Sequence, residues 1–142
     1  MKIPLLKLDV DLPTPSHSHP GDGGVDLYSR IDTDLKPGER QMVPTGVALA
    51  VPDGYAGLVV PRSGMAARHG IGVVNSPGLL DSGYRGEIHV ILVNHGSELF
   101  AVERGDRIAQ LVVVPVVVQE FVEVEGLPPS PRGGGGFGST GR

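Results

Sequence analysis

The sequence predicts an all-β sandwich or barrel with one short helix, on three observations. The chain of 142 residues carries 22 Gly and 13 Pro, with many Val and only 3 Lys, a balance of turns and β-branched residues rather than of helix formers. Short apolar runs recur at regular spacing, divided by Gly, Pro and Asp turn signals. Only one segment, Ser63–Arg68, has helix chemistry. The length suits one domain with a substantial core, not two.

Residues 2–8 alternate well enough for an opening strand, ended by Asp9, Asp11 and Pro13. Residues 13–24, PTPSHSHPGDGG, have loop chemistry throughout. His17 and His19 are spaced like metal ligands, but with no Cys and no third His nearby they read as a solvated loop. VDLYS forms a short strand carrying Asp26, and Leu35-Lys36-Pro37-Gly38 is a turn. Residues 41–51 and 55–60 are apolar strands joined at Pro52-Asp53-Gly54. Ser63 is placed to cap the helix, and Ala66-Ala67 to propagate it. IGVV and IHVILVN flank the segment Asn75 to Glu87, NSPGLLDSGYRGE, which reads as the mouth of a β-hairpin held by turns at Pro77-Gly78 and Ser82-Gly83. Residues 88–94, 98–102, 107–118 and 120–124 supply further strands, with turns at His95-Gly96 and Arg104-Gly105-Asp106. The expected organisation is a β domain over 1–125 and a flexible Gly-rich arm over 126–142, GLPPSPRGGGGFGSTGR, which cannot bury a core.

A formal charge of −4 argues against general affinity for nucleic acid or membrane. The positive charge is mostly Arg, and Arg62, Arg85, Arg104, Arg107 and Arg132 all sit in Gly-rich motifs. The planar guanidinium suits bidentate phosphate contacts, so an acidic chain keeps its cations where an anion can use them. The absence of Cys excludes disulfides, thiolate zinc sites and thiol catalysis. MKIPLLKLDV has too short an apolar run for a signal peptide, and no stretch is long enough for a membrane helix, so a cytoplasmic protein is expected.

Five segments carry candidate chemistry, and each has a plainer explanation. In GGVDLYS, Asp26 stands behind a Gly-rich loop, where a satisfied structural Asp accounts for it alone. PRSG, 61–64, ends a strand and opens the helix, offering free N–H groups, a hydroxyl and a guanidinium to a phosphate; by itself it is also an ordinary strand-to-helix turn. In the hairpin mouth a single acid, Asp81, lies between two Leu and a Ser-Gly turn, with Tyr84 and Arg85 beyond; Asp in a turn also serves local hydrogen bonding. In RGDRIAQLV, Gln110 sits among apolar neighbours and needs amide partners, which backbone can supply, and Arg104 and Asp106 can simply pair. The arm holds Arg132, Phe137, Ser139 and Thr140 among glycines, more than a linker needs. A ring stacked on a nucleobase contributes ~1–3 kcal/mol, so such an arm can close over a base and a phosphate chain. The co-occurrence of all five, in order, in one small β domain weakens the plainer explanations.

GGVDLYS, PRSGMAARHG, GLLDSGYRGE, RGDRIAQLV and RGGGGFGSTG together resemble the five ordered motifs of the trimeric dUTP diphosphatases, from Asp22 to Gly141. Gly24 stands where Ala is usual and Leu80 where Ile is common, and neither departure removes a functional group. The resemblance implies a β jelly roll assembled as a homotrimer, hydrolysing dUTP to dUMP and diphosphate with a magnesium ion across the triphosphate. That activity limits uracil incorporation into DNA and supplies dUMP for thymidylate synthesis. By resemblance, Asp81 would deprotonate the water that attacks the α-phosphorus and hold the sugar 3′-hydroxyl. Asn75 would read the uracil edge with backbone groups near Leu79, Leu80 and His89, and Tyr84 would lie against the deoxyribose. Arg62, Ser63, Gly64 and Gln110 would hold the phosphates. Phe137 would stack on uracil, with Arg132, Gly138, Ser139 and Thr140 closing on the nucleotide and its γ-phosphate. Asp26 would orient either Asp81 or a magnesium-bound water. No protein residue is expected to bind the metal directly, which suits an ion that keeps water and phosphate ligands. Each site would combine the hairpin of one subunit, the phosphate motifs of a second and the arm of a third; the apolar run IAQLVVVPVVV, 108–118, suits burial against a neighbour.

Two rivals share this fold. The related dCTP deaminases carry a catalytic Glu on the strand after the hairpin, where this chain has Ile91, and residues 88–94 contain no acid. A non-catalytic binding module would not need Asp81 and the arm intact.

Overall fold

The computed structural model describes residues 1–141. Its strands are β1 (Leu5–Lys7), β2 (Val25–Tyr28), β3 (Thr33–Leu35), β4 (Arg40–Pro44), β5 (Val47–Leu49) and β6 (Tyr55–Val60). After the helix α1 (Ser63–His69) come β7 (Ile71–Val73), β8 (Gly78–Leu80), β9 (His89–Asn94), β10 (Phe100–Val102) and β11 (Arg107–Pro115). One sheet runs β2-β11-β6-β8 and a second β4-β9-β7, with two-stranded ribbons β1-β5 and β10-β3. Every pairing is antiparallel. The architecture is the jelly roll that the motifs imply, with a single short helix.

Alternation along the strands builds the core. In β9, Val90, Leu92 and Asn94 face inward while His89 faces out. Val90 and Leu92 join Val43, Ile71 and Val73 of their own sheet against Leu27, Val59, Ile108 and Leu111 of the other. Full burial of such a side chain contributes about 1.5–3 kcal/mol. Asn94 is the polar exception; its amide donates to the carbonyls of Leu35 at 2.9 Å and Glu98 at 2.7 Å, and its oxygen accepts the Gly96 N–H.

Several elements differ from expectation, each for a local reason. The 41–51 run divides at Thr45-Gly46, where Gly46 has φ 73° and a Cβ would lie 2.8 Å from Asp9 Cβ. The left-handed residue turns the chain from β4, paired with β9, to β5, paired with β1. The opening strand shrinks to Leu5–Lys7. The hairpin flanks pair as expected, Ile71 opposite Asn94, but the mouth contains β8, which crosses to β6. β3 lies just ahead of the expected turn and pairs with β10. Ser63 is not the helix cap: Arg62 occupies that position without a side-chain cap bond, and the helix ends at left-handed Gly70. β11 stops at Pro115, and 120–124 forms no strand. Val117, Val118, Phe121 and Val122 have the right chemistry for a strand but pair with none among the described residues, and all are exposed. No helix among the described residues is long and apolar enough to cross a membrane.

Candidate active site

Strand register assembles the cationic part of the site. Asp26 on β2 lies opposite Gln110 on β11, and Gln110 lies opposite Val60, the last residue of β6. Two residues on, Arg62 reaches back, its Nε donating to Asp26 Oδ1 at 3.1 Å and its Nη1 to the Arg107 carbonyl at 3.3 Å. Arg107 Nη1 stands 3.6 Å from the second oxygen of Asp26. The Asp26 side chain is only 7% exposed, and partners of this kind offset the cost of burying a carboxylate. A register shift between Arg107 and Ala109 interrupts the β11–β2 ladder. That bulge resets the alternation, so Arg107 and Gln110, three residues apart, line one cleft.

The cleft, of about 520 Å³, is lined by Arg62, Ser63, Gly64 and Gln110, all expected from sequence. Arg68, Arg107 and Asp106 join them. Three guanidinium groups against the Asp106 carboxylate make it a receptor for an anion carrying several charges. The seven-residue helix has only a small dipole, so the side-chain cations supply most of the attraction. The sequence names Arg107 among the arginines in Gly-rich motifs that an anion could use, but assigns it no place in the site, and it does not single out Arg68. Arg107 belongs to RGDRIAQLV, and its spacing to Gln110 hides it, because three residues normally place side chains on opposite faces of a strand.

The hairpin forms a second group. Gly78 packs close to Asn75, whose Nδ2 would be 3.3 Å from a Cβ there. Asn75, Leu79, Asp81, Tyr84 and His89 are exposed and Leu80 is half-buried. The Asp81 carbonyl accepts the Tyr84 N–H at 3.0 Å, closing the turn and leaving the carboxylate toward solvent. The Tyr84 hydroxyl donates to the Glu87 carbonyl at 2.8 Å, and His89 Nδ1 lies 3.1 Å from that same oxygen.

The arm forms a third group. Arg132, Gly138, Ser139 and Thr140 are exposed, and Phe137 is exposed in full. Its hydrogen bonds are local, such as Arg132 Nε to the Gly135 carbonyl at 2.8 Å and Ser139 N–H to the Gly136 carbonyl at 3.1 Å.

Among the described residues, none from the hairpin or the arm lines the cleft. Leu80 pairs with Gly57 on β6, while Asp26 stands two strands away on the far side of β11. Three strand spacings of ~4.8 Å put Asp26 at least about 14 Å from β8. Asp26 therefore faces Arg62 and Arg107 in its own chain rather than Asp81. Arg104 does not pair with Asp106; it makes a bidentate contact with Asp9, Nη2 to Oδ1 at 3.0 Å. That guanidinium holds the Asp9 carboxyl down to about 2. The Asp106 carboxylate instead accepts the Glu103 N–H at 2.9 Å. His17 bonds within its loop, through Nδ1 to the Gly24 carbonyl at 3.1 Å.

The family model described as dUTPase matches residues 10–141. Deoxyuridine 5'-triphosphate nucleotidohydrolase of Thermobifida fusca (strain YX) is 55% identical over 142 residues, 99% of this chain and 79% of its own length. The protein of that name from Anaeromyxobacter sp. (strain Fw109-5) is 57% identical over 131 residues, 92% of this chain and 89% of its own. Among solved structures, the Staphylococcus bacteriophage 80alpha dUTPase with dUpNHpp superimposes with a TM-score of 0.93 at 28% identity, covering 99% of both chains. A mutant dUTPase from phage phi11 of S. aureus, described with a structural Mg(II) ion, gives 0.83 at 25% identity, covering 89% of this chain and 98% of its own.

Proposed function

The chain belongs to the dUTPase family, hydrolases that convert dUTP to dUMP, and from that premise we propose a magnesium-dependent reaction in which Asp81 activates the attacking water. The observation that carries the reading is the convergence of two separate motifs, 61–64 and 104–112, on one cationic cleft. In that cleft Arg62, Ser63, Gly64 and Gln110 hold the triphosphate, and Arg107 adds a further cation. Asp26 keeps the Arg62 guanidinium aimed by its 3.1 Å bond. Asn75 reads the uracil edge with backbone groups around Leu79, Leu80 and His89. A pocket built to pair with uracil rejects cytosine by leaving buried donors unpaired, the costlier kind of mismatch. Tyr84 lies against the deoxyribose.

Asp81 takes a proton from water as the water oxygen bonds to the α-phosphorus. The α–β bridging bond breaks and its electrons leave with diphosphate. A carboxylate is a competent base for such a displacement, and positioning supplies the rest.

Among the described residues no group of three or more His, Cys, Asp or Glu could hold a metal ion. That donor set fits magnesium as an ion carried by the triphosphate and by water. When bound, the ion neutralises charge on the phosphate oxygens.

The separation of hairpin, cleft and arm supports a homotrimer with shared sites. So does the apolar segment after Pro115, with Val117 83% and Phe121 88% exposed in the single chain. Phe137 of the arm then stacks on uracil while Arg132, Gly138, Ser139 and Thr140 close on the phosphates. The proposal needs no nucleic-acid or membrane partner and keeps a cytoplasmic location.

The test is diphosphate release from dUTP, UTP, dCTP, dTTP, dATP and dGTP, with magnesium and with a chelator. Release from dUTP alone, lost on chelation, is expected. Comparable release from several nucleotides, or release that survives the chelator, contradicts it.

A further inference from the structure

Tyr84 is half-exposed. What holds it is a short chain of contacts. Its hydroxyl donates to the Glu87 carbonyl at 2.8 Å. Its ring lies over Gly86 so closely that a Cβ there would come within 2.5 Å of the hydroxyl and 2.7 Å of Cζ. Gly86 is thus the floor on which the ring rests, and Glu87 is its tether. The Glu87 carboxylate is turned inward, 16% exposed, and bound to parts of the chain remote in sequence. Its Oε1 accepts the Gly46 N–H at 2.8 Å, and both oxygens stand 3.4 Å from Arg30 Nη1. Arg30 is tied in turn to the Leu8 carbonyl at 3.2 Å and to Asp9 at 3.5 Å.

We infer that Glu87, with Gly86 beneath the ring, is the positioning residue that fixes Tyr84 and thereby sets discrimination between deoxyribose and ribose. The inference rests on the reading that Tyr84 lies against the sugar. A side chain that rejects a hydroxyl by shape works only while it cannot swing aside. A contact misplaced by about 1 Å is enough to change the outcome of a reaction. Most of the tether is backbone geometry. The carbonyl that receives the Tyr84 hydroxyl belongs to the residue whose carboxylate is anchored at Gly46 and Arg30, so loosening the anchor moves the acceptor. The same oxygen lies 3.1 Å from His89 Nδ1, so the anchor also steadies the residue on the uracil side.

The experiment measures kcat and KM for dUTP and for UTP, beside thermal melting, in the wild type, Glu87→Gln, Glu87→Ala and Gly86→Ala. Glu87→Gln keeps an acceptor for the Gly46 N–H and should hold the dUTP-over-UTP ratio of kcat/KM within about threefold of wild type. Glu87→Ala should lower that ratio about tenfold or more, the order of selectivity that one small group commands in a pocket, with the change falling on KM more than on kcat. Gly86→Ala should lower it similarly, because the added methyl displaces the ring. If Glu87→Ala does not fold, Gly86→Ala, on an exposed loop, decides the matter alone. Folded Glu87→Ala and Gly86→Ala proteins with the wild-type ratio overturn the proposal. A wild type inert on dUTP overturns the functional reading and this proposal with it, and that result is distinct from an active enzyme whose variants keep their selectivity.

Discussion

Asp81 can serve as a base only where a water molecule can reach it, and its place at the exposed turn of the hairpin meets that condition. Asp81→Asn preserves the turn and its backbone bond to Tyr84 while removing the base. A kcat loss of about 10²–10⁴ is expected, the usual contribution of a positioned general base, with dUTP affinity by calorimetry largely kept. Wild-type turnover by this variant would refute the assignment. A second carboxylate governs stability rather than chemistry. The hydrogen bond from Arg104 holds Asp9 down at about 2, against an ordinary value of 3.8. A depressed folded-state value means stability present above the unfolded value and lost as pH falls through the folded one. Asp9→Asn should therefore flatten the fall of Tm between about pH 4 and pH 2, and an acid limb unchanged from wild type would contradict the pairing. The residue types at both places were legible in sequence, but their partners were not. Arg62 meets Asp26 and Arg104 meets Asp9 across 36 and 95 residues, so only the folded register determines which acid each guanidinium finds.

The elements most legible in sequence are those whose side chains alternate or whose turns hold a glycine at positive φ. IHVILVN became β9 almost residue for residue, and the PDG turn joins β5 to β6. β8 escaped notice because Gly78–Leu80 is three residues long and sits inside turn signals; it is a strand only because β6 presents an edge to it. The reverse holds for 120–124, which has strand composition and pairs with no strand among the described residues. The arm belongs to neither class, since glycine gives it no preferred shape. Ordering about ten such residues costs roughly 1–2 kcal/mol each in backbone entropy, so the proposed closure needs both the stacked base and the phosphate contacts. Truncation after Pro131 should leave the melting temperature unchanged, because no buried side chain is removed, while kcat/KM for dUTP falls by at least about tenfold, from loss of stacking alone. Phe137→Ala should reproduce part of that loss, and Phe137→Trp should largely keep activity. A truncated enzyme as active as the full chain would reduce the arm to a linker.

At the scale of the whole molecule, the hairpin and the phosphate cleft of the proposed site lie apart in the single chain. The cationic cleft opens beyond Val60, the last residue of β6, and no residue of the 75–87 hairpin lines it, with Asp26 three strands from β8. The cleft's lining lacks Asp81, and among the described residues no contact brings it to a phosphate held by Arg62. A symmetric assembly does, if the hairpin of one copy faces the cleft of the next. The measurement that tests this most directly is complementation between two inactive variants, Asp81→Asn and Arg62→Ala, co-expressed in equal amounts. If each site takes its hairpin and its cleft from different subunits, about a quarter of all sites combine an intact Asp81 with an intact Arg62, and dUTP hydrolysis should return to roughly that fraction of wild type. Activity that stays at the level of the two inactive parents, in a mixture that has demonstrably exchanged subunits, would contradict the shared site.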